Sequence, residues 1–160
     1  MPSTPAAARL SVVSEEQLSE NAARALLADG GPGHIGMSVN ALPAVLPTNY
    51  LYLGGSIVCA TDDDLIARAP EQQAVVALCA DRIDTSRCWH WHVHVVGTAG
   101  LVTDDNTYTE LVMLGLRPPG AQHPAHYLRL QPAVITGRRF APLNPLDETR
   151  SFGPDPSQND

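Results

Sequence analysis

A chain of 160 residues accommodates one domain with one buried core and leaves little room for a second folding unit. Its 10 basic residues are all arginine, and 17 acidic residues bring the net charge to -7 without a long run of like charge. The basic footprint of a nucleic-acid binder is therefore absent, and any anion site must be built from arginine.

Residues 1–13, rich in Pro and Ala, read as a flexible arm. Met1 to Arg9 has neither a charged leader region nor an apolar one, and no apolar run approaches membrane-spanning length, so a soluble protein with no membrane partner is expected. Ser14-Glu15-Glu16-Gln17 has the form of a capping box, and Leu18, Ala22, Ala25 and Leu26 recur at helical spacing; a helix from about 15 to 28 is predicted. Asp29-Gly30-Gly31-Pro32-Gly33 ends it.

The pattern then turns to strands. His34 to Val39 alternates, Asn40 to Pro43 is a turn, Ala44 to Tyr52 is a second strand, Gly54-Gly55 makes a hairpin, and Ser56 to Ala60 returns. Asp62-Asp63-Asp64 before Leu65, Ile66 and Ala69 suits a short helix with acids at its positive end, stopped by Pro70. Ala74 to Ala80 reads as a strand, and Asp81 to Arg87 as a polar loop. Thr107 to Leu114 is predicted to be a helix with Leu111 and Leu114 inward. After a loop from Arg117 to Pro124, Ala125 to Leu130 returns as a strand and Val134 to Arg139 closes the fold.

The domain thus spans residues 14–141, and 142–160 has the composition of a disordered tail. Six short strands with peripheral helices add up to a mainly β, antiparallel barrel. Cys59, Cys79 and Cys88 are widely spaced and form no Cys-x-x-Cys pair, which indicates neither a disulfide framework nor a zinc ribbon; a reducing cytoplasm is the expected compartment.

The most informative stretch runs from Cys88 to Ala99. Trp89, Trp91, Val93 and Val95 alternate with His90, His92 and His94, so one face of a strand is apolar and the other carries half of the chain's six histidines. Alternate strand residues lie ~6.6 Å apart and positions 90 and 94 ~13 Å apart, so a straight strand can offer two imidazoles to one ion but not three. A metal site would need a His-x-His pair and a third ligand from His34, His123, His126 or an aspartate. The same face could instead line an interface between copies, or perform general acid/base work, since imidazole titrates near ~6.5.

The order of motifs resembles the pyridoxamine 5'-phosphate oxidase-like family, the FMN-binding split barrels. The matching pieces are Leu26-Leu27, Gly33-His34-Ile35-Gly36, Leu46-Pro47-Thr48-Asn49-Tyr50, Thr61, the Trp91 to Ala99 strand, and Ile135-Thr136-Gly137-Arg138-Arg139. The resemblance implies a six-stranded antiparallel split β-barrel with peripheral α-helices. It further implies a homodimer with flavin sites at the subunit interface and an FMN-dependent oxidoreductase acting on a small organic substrate. The cofactor-binding residues implied are Pro47, Thr48, Asn49, Tyr50, Thr61, Arg68, Trp91, Arg138 and Arg139, with His90, His92 and His94 as catalytic candidates at the cleft.

Two departures stand out. Where relatives commonly show Phe-Arg-Thr and then Gly-Ser-Lys-Leu, whose Arg and Lys hold the FMN phosphate, this chain has Cys59-Ala60-Thr61 and then Asp62-Asp63-Asp64-Leu65. Arg68, Arg138 or Arg139 would have to supply the cation. Where relatives read Gly-Trp-Ser-Val, this chain reads His90-Trp91-His92-Val93. A barrel repurposed away from flavin, using its histidines for haem, a metal ion or acid/base catalysis, and a non-catalytic ligand-binding protein are the alternatives.

Overall fold

The computed structural model describes residues 15–39, 41–64, 74–84, 89–121 and 126–140. Seven strands and two helices follow in the order β1 (Glu15–Leu18), α1 (Glu20–Leu27), β2 (Gly31–Val39), β3 (Leu42–Leu53), β4 (Ser56–Thr61), β5 (Val75–Asp84), β6 (Trp89–Leu101), α2 (Asp105–Met113) and β7 (His126–Phe140). All pairings are antiparallel. The sheet runs β1-β7-β4-β3-β2-β5-β6, and β6 pairs back to β7, so six strands close a barrel. The seventh, β1, continues the edge of β7 beyond the point where β4 leaves it: β4 takes His126 to Leu130, and β1 takes Gly137 to Phe140.

The mainly β barrel with peripheral helices matches the sequence expectation, and several boundaries move. The helix expected from residue 15 begins at Glu20. Ser19 is its N-cap, accepting from the Ala22 N–H at 3.2 Å. Glu15 to Leu18 is extended because β7 offers it a ladder and two cations: Arg138 pairs with Glu15 at 2.8 Å, and Arg139 pairs with Glu16. The polar loop expected from Asp81 is strand as far as Asp84, held by the pairing of Asp81 with His92 and of Asp84 with Trp89. The two closing strands are one, and Pro132, which lacks a ladder donor, sits at the β-bulge between Val96 and Gly97.

Leu114, expected inward, is 54% exposed. The helix stops at Met113, Gly115 turns at φ 76, and the Leu116 N–H donates to the Leu111 carbonyl at 3.2 Å, folding Leu116 inward in its place. The Gly54-Gly55 hairpin forms as expected, with both residues at positive φ. The short helix expected after Asp64, Arg68 within it, Cys88 and His123 fall outside the described residues.

Strand alternation divides the buried residues into two cores. Ile35, Tyr50, Ile57, Leu78, Val93, Val95, Leu128 and Leu130 fill the barrel, together with Ala23 and Leu27 of α1. Val58, Ala60 and Tyr127, on the opposite face of β4 and β7, pack against Leu111 and Leu116. Helix α2 thus belongs to the outside of β4 and the first part of β7. The outer face of β2, β5, β6 and the rest of β7 carries no helix among the described elements. No helix of the described residues is long and apolar enough to cross a membrane.

Closure of the barrel depends on a close approach at Gly97. A Cβ there would stand 1.9 Å from the Gln131 carbonyl oxygen, a backbone atom that cannot step aside, whereas one at Gly100 would meet nothing within 4 Å. Gly97→Ala is therefore expected to destabilise by at least the ~1–3 kcal/mol typical of overpacking, with Gly100→Ala within ~0.5 kcal/mol of wild type. Urea unfolding of the two variants measures both.

Candidate functional site

Antiparallel registers place directly opposed residues on the same face, so the outer wall can be read in rows. The first is Ile83, His90 and Phe140; the second is Asp81, His92 and Arg138; the third is Pro47, His34, Cys79, His94 and Thr136. The fourth is Val45, Gly36, Ala77, Val96 and Val134. All three histidines of β6 therefore face away from the barrel core, as the alternation requires, while Val93 and Val95 beneath them are fully buried.

Asp81, on the neighbouring strand, ties the histidines together. Its Oδ1 accepts from His92 Nδ1 at 2.7 Å and lies 3.4 Å from His90 Nε2. A carboxylate at 2.7 Å requires the proton on Nδ1, which leaves His92 Nε2 as the free acceptor of the neutral ring. The His92 and His94 rings stack with centroids 6.4 Å apart, and His90 lies against Phe140 at 5.5 Å. A groove of about 360 Å³ runs over this surface, its walls including Cys79, His92, His94, Thr136, Arg138 and Phe140. Among the described residues no three His, Cys, Asp or Glu side chains are arranged to hold a metal ion.

The other residues singled out in the sequence fall into separate places. Trp91 lies on the inward face beneath Arg82, whose guanidinium is 5.6 Å from its ring. Arg138 and Arg139 are neighbours on one strand and so point to opposite faces. Arg138 is on the outer wall with Glu15, whereas Arg139 pairs with Glu16 and lies 4.6 Å above the Trp89 ring. Thr48 and Tyr50 are turned into the barrel, each 1% exposed, and the Thr48 hydroxyl donates to the Ala60 carbonyl at 2.9 Å. Pro47 and Asn49 face outward, Asn49 donating from Nδ2 to the Arg117 carbonyl at 2.7 Å.

Thr61 marks the remaining place, a pocket of about 120 Å³ lined by Leu46, Pro47, Asp62, Asp63, Pro118 and Pro119 besides itself. The Thr61 hydroxyl accepts from the Asp63 N–H at 3.0 Å. A phosphomonoester carries close to two negative charges at neutral pH and needs cations or converging N–H donors. Among the described residues this lining carries two carboxylates and no arginine, and Arg68 lies outside them. Arg138 and Arg139 lie far from this pocket within the protomer. Thr61 pairs with His126, and Arg138 lies twelve residues further along β7, roughly 40 Å of strand at ~3.3 Å per residue.

A family model described as pyridoxamine 5'-phosphate oxidase matches residues 19–139, most of the chain and all of the closed barrel but its last residue. The chain belongs to the pyridoxamine 5'-phosphate oxidase family. The chain is 28% identical over 129 residues to the uncharacterized protein Rv0080 of Mycobacterium tuberculosis, covering 78% of this chain and 84% of that protein. It is similar to the structure of the FAD-binding protein from Mycobacterium smegmatis, at 28% identity and TM-score 0.61, over 78% of this chain and 98% of the other. A FAD-binding protein from Mesorhizobium loti shares the fold at TM-score 0.65 and 16% identity, over 81% and 98% of the two chains.

Asp81 is the site residue that the sequence reading missed. The signal was present in the alternation of Cys79, Asp81 and Ile83 with buried Leu78 and Ala80, which continues the strand past residue 80. Of the thiols, burial pushes Cys59 up to about 12, against which the Thr48 hydroxyl contact works weakly, and burial also raises half-buried Cys79. The unfolded Cys59 thiol ionises near 9.0, below the folded one, so its contribution to stability is complete below that pH and is lost as pH rises toward about 12. Iodoacetamide near neutral pH is expected to leave Cys59 unmodified in the folded protein and to alkylate it after urea unfolding, as read by peptide mass spectrometry.

Proposed function

We propose that this protein is a flavin-binding oxidoreductase, with FAD rather than FMN as its cofactor, acting on a small organic substrate in a cleft formed between two copies of the chain. The reading is supported by the family match over residues 19–139 and by the FAD-binding proteins of the same fold. The preference for FAD rests on the FAD-binding protein at 28% identity. Flavin would supply hydride or electron transfer, while the chain's own side chains bind, orient and exchange protons.

The outer wall supports the two-copy arrangement. Val45, Val75 and Val134 are 69%, 62% and 53% exposed, and Val45 and Val134 end a row that continues through Gly36, Ala77 and Val96. An apolar row across five strands, without a covering helix among the described elements, is suited to burial against its own copy. The histidine rows beside it would then form one wall of the cleft. Cys59 and Cys79 are free thiols, in keeping with a cytoplasmic protein.

The absorbance spectrum and the released cofactor test this directly. Purified protein is expected to absorb near ~450 nm, to release FAD on denaturation, and to be stabilised thermally by added FAD more than by FMN, through mass action on the folded state. Colourless protein that neither flavin stabilises, a Soret band, or released FMN would each contradict the proposal.

A further inference from the structure

Three charged or ionisable side chains lie in one cross-strand row: Asp81 on β5, His92 on β6 and Arg138 on β7. We infer that this row is a binding and proton-transfer site for a small planar organic acid, with Arg138 holding the carboxylate, His92 Nε2 accepting a proton from the substrate and Asp81 positioning His92. It names the substrate class of the cleft proposed above and rests on that reading of the outer wall.

Each role follows from placement. Asp81 bonds His92 Nδ1 at 2.7 Å, fixing both the ring orientation and the tautomer, and turns the unprotonated Nε2 away from β5. Arg138 stands directly opposite His92 on the far side, and both line the same groove of about 360 Å³. The Arg138 side chain is 60% exposed, and its partner Glu15 is 46% exposed. Exposed pairs of this kind are held weakly, so an incoming carboxylate, which can meet the guanidinium in bidentate fashion, can displace Glu15. The rings of His94 and Phe140, on the rows to either side, offer flat surfaces to a planar molecule.

The proton step balances without a further reactant. An O–H or N–H of the bound acid gives its proton to His92 Nε2, the electron pair stays on the substrate oxygen or nitrogen, and the imidazolium formed is paired with the Asp81 carboxylate. Arg138 remains charged throughout and holds the anion.

Salicylate, which carries a carboxylate beside a hydroxyl on a flat ring, is a suitable probe. Titration into the purified full-length protein, followed through the imidazole nitrogens of His92 by ¹⁵N NMR, is expected to give saturable binding that moves the Nε2 signal. Neutral salicylamide should bind at least ten-fold more weakly. Arg138→Gln should weaken salicylate about ten-fold, whereas Glu15→Gln, which frees Arg138, should tighten it a few-fold. Asp81→Asn should redistribute the His92 tautomers, a spectroscopic change that loss of packing alone does not produce.

The proposal is overturned if millimolar salicylate leaves the His92 signals unmoved, if Arg138→Gln binds as well as wild type, or if Glu15→Gln binds more weakly. Absorbance of the same samples reports flavin separately. Salicylate binding without flavin would refute only the cofactor reading, and flavin without salicylate binding would refute only this one.

Discussion

The structure depends on the pairing of β7 with three partners. Over its first part, β7 is bonded to β4 on one edge and to β6 on the other, and over its last part it is bonded to β1 and β6. It is the longest of the described strands, and at Leu128 to Leu130 it is bonded on both edges at once. The cost of that length is a bulge, and Gly97 with Pro132 absorbs it: one has no Cβ to collide with the Gln131 carbonyl, and the other has no N–H to leave unpaired. Barrel closure buries Val93, Val95, Leu128 and Leu130 on one side. On the other side, the same alternation lines up His90, His92 and His94 with Asp81, Arg138 and Phe140.

Much of this was legible locally. Period-two alternation in Cys88 to Ala99 separates the Trp and Val residues from the histidines without any tertiary information, and a Gly-Gly pair between strands specifies its hairpin. What was hidden was register. Ser14 with Gln17 imitates a capping box, and only Arg138 and Arg139, more than a hundred residues away, make Glu15 to Leu18 a strand. Likewise, nothing near Asp81 reveals that the β5 to β6 pairing sets it beside His92. The partition of Arg138 and Arg139 to opposite faces was implicit in their adjacency, and what each face holds became visible only with the barrel closed.

The Thr61 pocket and the histidine rows carry different chemistry. Around Thr61 the described lining carries the carboxylates of Asp62 and Asp63, whereas the Asp81, His92 and Arg138 row carries an arginine and a histidine bonded to a carboxylate. Between them, the row from Pro47 through His34 and Cys79 to His94 spans three strand spacings, ~14 Å around the wall. The chain keeps the family's barrel, and a fold of this kind hosts different ligands through the side chains it carries.

Everything proposed for this surface requires that the apolar row beside the histidines be covered by a second copy. Sedimentation equilibrium of the purified protein, alone and with Val134→Glu, measures this most directly. The wild type is expected at twice the chain mass of 17.1 kDa, and the variant at the single-chain mass with its barrel still folded. A wild-type protein that sediments as a single chain at micromolar concentration, or a Val134→Glu variant that remains a dimer, would contradict the assignment of this face.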